Sequence, residues 1–294
     1  NIVFVIYWLV RSYIYAILSA VCILVGIKII LLNYRLPVSG VPDKKVTTGA
    51  IRIMTYNVNG FTLLNGFTSS SDQVLQLINN KQPDILSIEE CCVKKADSGK
   101  LFRQIDELLR SGTHYFKTYI ITHSDSTGLA IFTKFPILNH GNINSSGIQA
   151  IFVDVKYQNK IIRVYSLHLQ SAHFEAEQHK GLWNLTHHAK INWNQLGIIY
   201  NKIEVAFIKR ADQVAVIKQH MQQCPYPYIV EGDFNDTPLS YTMTRMRSGL
   251  KNGFSEKGGG WGITYYRDFP HLQIDYLLTS PQFDFINYQI IKSK

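Results

Sequence analysis

The stretch YIVEGDFNDTP, Tyr228 to Pro238, decides how the chain is read. An apolar strand, Tyr228 to Glu231, runs into Gly-Asp-Phe-Asn-Asp and is stopped by Thr-Pro. Asp, Asn, Gly and Pro are ordinary turn residues, so the cluster can simply end a strand. It can also deliver carboxylates and an amide to a site at the strand's end. If residues 233–235 are extended, Asp233 and Asn235 project to one side, because strand side chains repeat every second residue.

The same ending recurs along the chain. IRIMTYNVNGF ends its apolar run in Asn57, PDILSIEE ends in Glu90, IIRVYSLHLQS carries His168 near its end, and LQIDYLL sets Asp275 within an apolar run. A buried carboxylate without a partner costs several kcal/mol, on the order of the penalty for any unpaired buried charge. One such residue can be a turn or a satisfied core group. Several of them, all acid, amide or imidazole, are better explained by convergence on one site. Carboxylate and amide oxygens suit a hard cation such as Mg²⁺. Asp beside Asn can deprotonate and orient a water, and a His can bind or protonate a phosphate oxygen. Phosphoryl transfer mainly needs positioning and charge neutralisation, which this set supplies.

The rest of the sequence sets bounds. The chain has 294 residues and a formal charge of +9. Arg11, Lys28 and Arg35 lie in or beside an apolar N-terminus, so the remainder is mildly basic, which suits an anionic substrate or surface without naming one. Cys22, Cys91, Cys92 and Cys224 form neither a disulfide framework nor a metal-thiolate pattern.

Residues 1–35 are nearly all apolar. As one helix they would run about 50 Å, against a hydrocarbon core of about 30 Å. Arg11 divides them, so Ser12–Tyr34 is expected to span a membrane and Asn1–Val10 reads as the tail of a preceding helix. A buried soluble helix is the alternative. Leu36–Gly49, rich in Pro, Gly and Lys, reads as a linker.

Beyond the linker, strands are expected at Ile51–Asn57, Ile85–Glu90, Ala130–Thr133, Ile148–Tyr157, Lys160–Leu169, Tyr228–Glu231, Ile274–Thr279 and Phe283–Ile291. Helices are expected at Ser71–Asn80, Lys100–Ser111 and Asn194–Cys224. Residues 173–200 mix His, Trp, Phe and Tyr. His187 and His188 are metal candidates there, but a surface insertion facing the substrate is the preferred reading. Arg210 and Gln213 lie on a helix whose Ala211, Val214, Ile217 and Met221 form an apolar face, and no chemistry is assigned to them.

The segments MTYNVNGF, PDILSIEE, GLAIFTKFPI, VYSLHLQS, VEGDFNDTP and IDYLLTS, in this order, resemble the endonuclease/exonuclease/phosphatase (DNase I-like) superfamily. The apolar N-terminus makes the chain most similar to membrane-anchored bacterial members. The resemblance implies an α/β (α+β) fold, a four-layer sandwich of two packed mixed β-sheets flanked by helices, preceded by transmembrane segment(s). The expected organisation is 1–35 transmembrane, 36–50 linker and 51–294 catalytic domain.

The resemblance also implies roles. Glu90 is the metal carboxylate with Asn57 its amide neighbour, for Mg²⁺ or Mn²⁺. Asp233 is the base and Asn235 orients the water. His168 donates to a phosphate oxygen, so that His168 and Asn235 also bind substrate. Asp275 orients a C-terminal His. Glu89 stands where the family usually has Gln, and Gln273 where anchored members often have Arg. The family's Ser-Asp-His motif does not occur, so the sequence is expected to be a fragment.

The expected function is a membrane-anchored, Mg²⁺-dependent phosphohydrolase of a phosphodiester or phosphomonoester, with nuclease as the leading class. A phospholipid or sphingolipid phosphodiesterase and a non-catalytic binding module remain as alternatives. The expected partners are a phosphoester (nucleic acid, lipid or small molecule) and a membrane, and no protein partner follows from the sequence. The expected location is a bacterial inner membrane. Lys28, Arg35, Lys44 and Lys45 favour a cytoplasmic domain. Resemblance to anchored members favours the outer side, which is the side taken here.

Overall fold

A computed structural model describes residues 2–36, 49–61, 71–91, 98–109, 114–121, 126–143, 149–188, 192–266 and 271–291. Most of the expected linker, Ile148, the His188 side chain and residues 292–294 lie outside the described residues.

The apolar N-terminus forms helices α1 (Ile2–Arg11) and α2 (Tyr13–Asn33), which part at Ser12, where the backbone is extended. The division expected at Arg11 is thus present. Among the described residues no helix is long and apolar enough to cross a membrane. The expected span over Ser12–Tyr34 is therefore not carried by those residues, which leave out the Lys28 side chain within α2. The two-residue strand β1 (Tyr34–Arg35) follows α2 directly.

Residues 53–279 alternate strands and helices. In chain order they comprise β2 (Ile53–Asn57), α3 (Ser71–Lys81), β3 (Ile85–Glu89), α4 (Ser98–Leu108), β4 (His114–Ile121), β5 (Ser126–Thr133), β6 (Ile137–Asn142), β7 (Gln149–Tyr157) and β8 (Lys160–His168). Then come α5 (Ala176–His188), α6 (Trp193–Gln222), β9 (Tyr228–Asp233), α7 (Tyr241–Met246), β10 (Lys251–Asn252), α8 (Gly253–Lys257), β11 (Gly260–Trp261) and β12 (Asp275–Thr279). One sheet is four-stranded in the order β2-β3-β5-β4, and the other six-stranded in the order β10-β12-β9-β8-β7-β6. Each contains one parallel pair, β2 with β3 and β8 with β9, so both are mixed.

Three apolar clusters show the layering. Ile85, Leu129 and Ile131 of one sheet meet Ile151, Val153, Val164, Ile229 and Leu277 of the other, so the sheets pack face to face. Leu86 and Ile88 point the opposite way, toward Val74 and Ile78 of α3 and Ile105 of α4. Tyr165, Leu167 and Val230 likewise meet Val214, Ile217 and Met221 of α6 and Met243 and Met246 of α7. The period of two along each strand separates an inner row from an outer row. The result is the helix–sheet–sheet–helix layering that the sequence implied.

A small third pairing ties the N-terminus to this body. β1 pairs with β11, placing Tyr34 opposite Trp261 and Arg35 opposite Gly260. The Tyr34 and Trp261 rings meet edge to face at 5.1 Å, and Gly262 N–H donates to the Asn33 carbonyl.

One expected strand is absent. Phe283–Ile291 is irregular, although its pattern of β-branched and aromatic residues suits a strand. Its apolar side chains are used without ladder pairing. Phe283, Phe285 and Tyr288 pack against the inter-sheet core, while Lys251 Nζ holds the Phe283 carbonyl and the Asp284 carboxylate.

Candidate active site

The inner rows change character along the strands. In β3 the row reads Ile85, Ser87, Glu89, and in β9 it reads Ile229, Glu231, Asp233. In β8 it reads Val164, Ser166, His168, and in β12 it begins at Asp275 and continues to Leu277. Register aligns the polar ends. His168 stands opposite Asp233, Asp275 stands opposite Asp233 on the other side, and Asn57 stands opposite Glu89 in the facing sheet. One backbone contact enforces this alignment. Gly232 has φ +132° and lies so close to β8 that a Cβ there would strike the Leu167 carbonyl, so only glycine fits before Asp233.

The two sheets are joined across the gap by Asn57. Its Nδ2 donates to Glu90 Oε1 at 3.0 Å and to Asp233 Oδ2 at 2.9 Å. Its Oδ1 accepts from Asn59 N–H at 2.9 Å, which fixes the amide's orientation. As arranged, Asn57 therefore bridges the two carboxylates with its N–H groups. It does not offer them an oxygen, which modifies the expected role of metal neighbour.

Glu90 has a left-handed backbone, φ +52°, uncommon for glutamate, and its carbonyl accepts from Gly60 N–H. His168 Nε2 lies 3.4 Å from Glu90 Oε1 without hydrogen-bonding geometry, while Nδ1 is 3.3 Å from Gln149 Oε1. Because a carbonyl oxygen only accepts, Nδ1 carries the proton in that contact, and Nε2 faces the carboxylates. Ligand atoms of Glu90, His168 and Asp233 lie within 4.8 Å of one another.

Asn235 differs from the expectation of an extended 233–235 segment. β9 ends at Asp233 and Asn235 turns left-handed at φ +50°. Its N–H donates back to Asp233 Oδ1 at 2.8 Å, the Asx-type turn that asparagine tolerates. Its Nδ2 donates to the Leu169 carbonyl at 3.0 Å. The two side chains thus meet through a turn rather than through strand pleat.

Electrostatics mark this end of the sandwich. Burial pushes the Asp233 carboxyl up, against the pull of His168, Asn57 and the Asn235 N–H. Burial, then the Asp233 charge, pushes Asp275 well above the usual range, and the Thr264 hydroxyl opposes this. Just beneath, burial drives Glu89 and Glu231 each up to about 8. Glu89 is held by Thr55 Oγ1 at 2.8 Å and Glu231 by Ser87 Oγ at 2.6 Å, and the second oxygen of each is buried without a hydrogen bond. Glu89 is therefore turned into the sandwich below the metal-type cluster, and Glu90 alone of the pair reaches it.

All the residues singled out by sequence, Asn57, Glu90, His168, Asp233, Asn235 and Asp275, come to this one end. The positions missed are Thr55, Ser87, Gln149, Glu231 and Thr264. The period-two spacing of Ser87 before Glu89 and of Glu231 before Asp233 was the signal for two of them. Arg210 and Gln213, assigned no chemistry, are buried against the loop that follows His168 and the loop that carries Asn235. In the 173–200 region, His187 stacks on Trp183 at 4.6 Å and contacts its carbonyl through Nδ1. Among the described residues only the Glu90, His168 and Asp233 group has the spacing of a metal site.

Solved structures share this fold at low identity. An endonuclease/exonuclease/phosphatase family protein from Leptotrichia buccalis aligns with a TM-score of 0.52 at 16% identity, covering 78% of this chain and 87% of that one. A truncated TDP2 from Caenorhabditis elegans aligns at 0.51 and 17%, covering 78% and 83%. The 3' phosphatase NExo from Neisseria, bound to a product DNA hairpin, aligns at 0.51 and 15%, covering 79% and 88%. No curated protein matches the chain. Residues 54–291 match the family model of the Endonuclease/Exonuclease/phosphatase family, and the chain belongs to that family of phosphoester-hydrolysing enzymes.

Proposed function

We propose that the protein is a Mg²⁺-dependent phosphohydrolase of nucleic acid, cleaving a phosphodiester or a terminal phosphomonoester by attack of water. The observation that carries this reading is the Asn57 bridge, which holds Glu90 and Asp233 from opposite sheets beside His168. Two carboxyls, of Glu90 and Asp233, gathered with one imidazole are a donor set that a hard divalent cation fits. Glu90 would hold the ion, with Asp233 and His168 within reach. When bound, the cation neutralises charge on the phosphoryl oxygens.

The chain's own groups supply the rest. Asp233 accepts the proton of the attacking water while the new oxygen–phosphorus bond forms and the bond to the leaving oxygen breaks. Asn235, clamped by the Leu169 carbonyl, orients that water. His168, its Nδ1–H held by Gln149, donates to a non-bridging phosphate oxygen through Nε2 when that nitrogen also carries a proton. Asp275, in register with Asp233, adds a carboxyl whose protonated form burial and the Asp233 charge favour. NExo, in its DNA-bound form, supports nucleic acid as the substrate class.

A second reading, hydrolysis of a lipid phosphodiester, is favoured by one feature. The apolar side chains of α1 and α2, Ile14, Leu18, Leu24 and Val25 among them, are exposed. We therefore also propose that α1 and α2 attach the protein to a membrane.

The test is hydrolysis of DNA with and without a 3' phosphate, RNA, phospholipid vesicles and sugar phosphates, each with Mg²⁺ and with EDTA. EDTA-sensitive turnover of nucleic acid is expected. Turnover of vesicle lipid alone would replace the first reading by the second. No turnover of any substrate with Mg²⁺ or Mn²⁺ would leave a non-catalytic module that keeps the fold.

A further inference from the structure

α6 is amphipathic in an unusual way. Within its buried face, between Ala206 and Val214, sit an arginine and a glutamine one turn apart, Arg210 and Gln213, exposed by only 3% and 4%. A buried guanidinium is costly unless it is paired, so its partners show what the helix is arranged to hold.

Those partners belong to two different loops. Arg210 Nε donates to Asp236 Oδ2 at 3.1 Å, and its Nη1 donates to the Gln170 carbonyl at 2.8 Å. Gln213 Oε1 accepts from the Gln170 N–H at 2.9 Å. Both backbone groups of Gln170 are thus gripped by α6. Gln170 lies two residues after His168, and Leu169 between them is the residue whose carbonyl clamps Asn235 and whose N–H donates to the Asp233 carbonyl. Asp236 directly follows Asn235, and its carbonyl also accepts from the Tyr276 hydroxyl at 2.9 Å. Asp236 Oδ1 in turn accepts from Thr237 N–H. The guanidinium therefore spans the end of β8 and the end of β9 at the point where their hydrogen-bonded ladder has stopped. The Asx-type turn holds Asn235 to Asp233 on one side, and the Arg210–Asp236 pair holds the next residue on the other.

We infer that Arg210, with Gln213, is a positioning residue for the hydrolytic step, fixing His168 and Asn235 relative to Asp233 through Gln170 and Asp236. Neither side chain is placed against substrate or metal. The planar fork of arginine suits this task, since it can hold a carboxylate and a carbonyl at once in a fixed geometry, which an ammonium does less rigidly. The inference rests on the proposed hydrolytic function for its kinetic readout only.

The test compares wild type with Arg210→Lys, Arg210→Met, Gln213→Leu, Asn235→Ala and Arg210→Lys/Asn235→Ala. Displacement of a reacting group by about 1 Å costs on the order of a hundredfold in rate, so Arg210→Met is expected to lose about that much in kcat with KM little changed. Removing one partner of a buried pair is strongly destabilising, so Arg210→Met could fail to fold, and Arg210→Lys then decides. The lysine variant is expected to recover melting temperature while kcat stays about tenfold or more below wild type. In the double variant the two losses should fall well short of additive, because Asn235→Ala already removes a group through which Arg210 acts.

A readout independent of turnover separates this inference from the functional one. Hydrogen exchange in Arg210→Lys and Gln213→Leu should rise in residues 168–171 and 233–237 and stay at wild-type levels in β7 and β12. Wild-type kcat in Arg210→Lys, full additivity, or unchanged exchange in both loops would each overturn the assignment. Inactivity of wild type on every substrate would instead overturn the hydrolase reading and leave the exchange result to judge the clamp.

Discussion

The space between the two sheets has two halves built from the same strands. In one, Ile85, Val164 and Ile229 pack into an apolar cluster between the sheets. In the other, two to four residues further along the inner rows, stand Ser87, Glu89, Ser166, Glu231 and Asp275. Two to four residues of strand are about 7–14 Å. Over that distance the interior passes from hydrocarbon to a set of carboxyls that burial drives upward in pKa. A sheet has no need of a separate active-site element. Its inner row can hold the fold together at one end and carry chemistry at the other, provided that the transition is bridged by hydroxyls such as Ser87 and Thr55.

This contrast is open to direct attack, and the largest effects belong to the polar end. Asp233→Asn and Asn235→Ala are each expected to lower turnover by roughly a hundredfold or more, the usual scale for a positioned base, with smaller changes in KM. Steady-state kinetics at saturating metal checks this, and full turnover in either variant would reduce the end of β9 to a turn. Glu90→Gln should remove most metal-dependent activity, because an amide is a weaker ligand for a hard cation than a carboxylate. A Mg²⁺ titration of activity is the measurement, and a wild-type midpoint and rate would break the assignment.

The dry end should respond in the opposite currency. Ile85→Ala is expected to cost about 2–5 kcal/mol of stability, the range for truncating a buried aliphatic side chain. Turnover well below the melting transition should change little. Denaturant unfolding run beside kinetics tests the pair, and a loss of kcat at full stability would mean that the halves are not separable.

The subtlest effect concerns Glu231. Its carboxyl is raised from an ordinary 4.5 to about 8, so the metal-free folded protein keeps a proton there that the unfolded chain releases. Its contribution to stability is complete below about pH 4.5 and is lost as pH rises through about 8. Glu231→Gln should therefore match wild type near pH 5 in EDTA and exceed it at pH 8. Parallel pH profiles for the two proteins would show that Glu231 is already ionised in the fold.

Much of the site could be read without coordinates because polar residues that end apolar runs are conspicuous. Asn57, Glu90, His168 and Asp233 all satisfied that test, and all converge. Asn235 was placed correctly but aimed wrongly, since a left-handed turn cannot be inferred from pleat alternation. Glu89, the sequence neighbour of Glu90, stands where the family usually has Gln. Alternation turns it inward, where Thr55 receives it. Arg210 and Gln213 were passed over because a helix surface acquires meaning only from what lies on it, and the loops after β8 and β9 are distant in sequence. The Phe283–Ile291 segment shows the reverse error. Strand-like composition secured its packing onto the core, but among the described residues it joins no strand ladder.

The pairing of β1 with β11 gives the N-terminal helices a mechanical relation to the catalytic end. Leu36–Gly49 looks like slack, yet it is bypassed. Asn33 is already bonded to Gly262, and a Cβ on Gly262 would collide with Gln273, two residues ahead of Asp275. Thr264, two residues past Gly262, accepts from the Ile274 and Asp275 N–H groups. The start of the strand that carries Asp275 is thus tied, within a few residues, to the C-terminal end of α2.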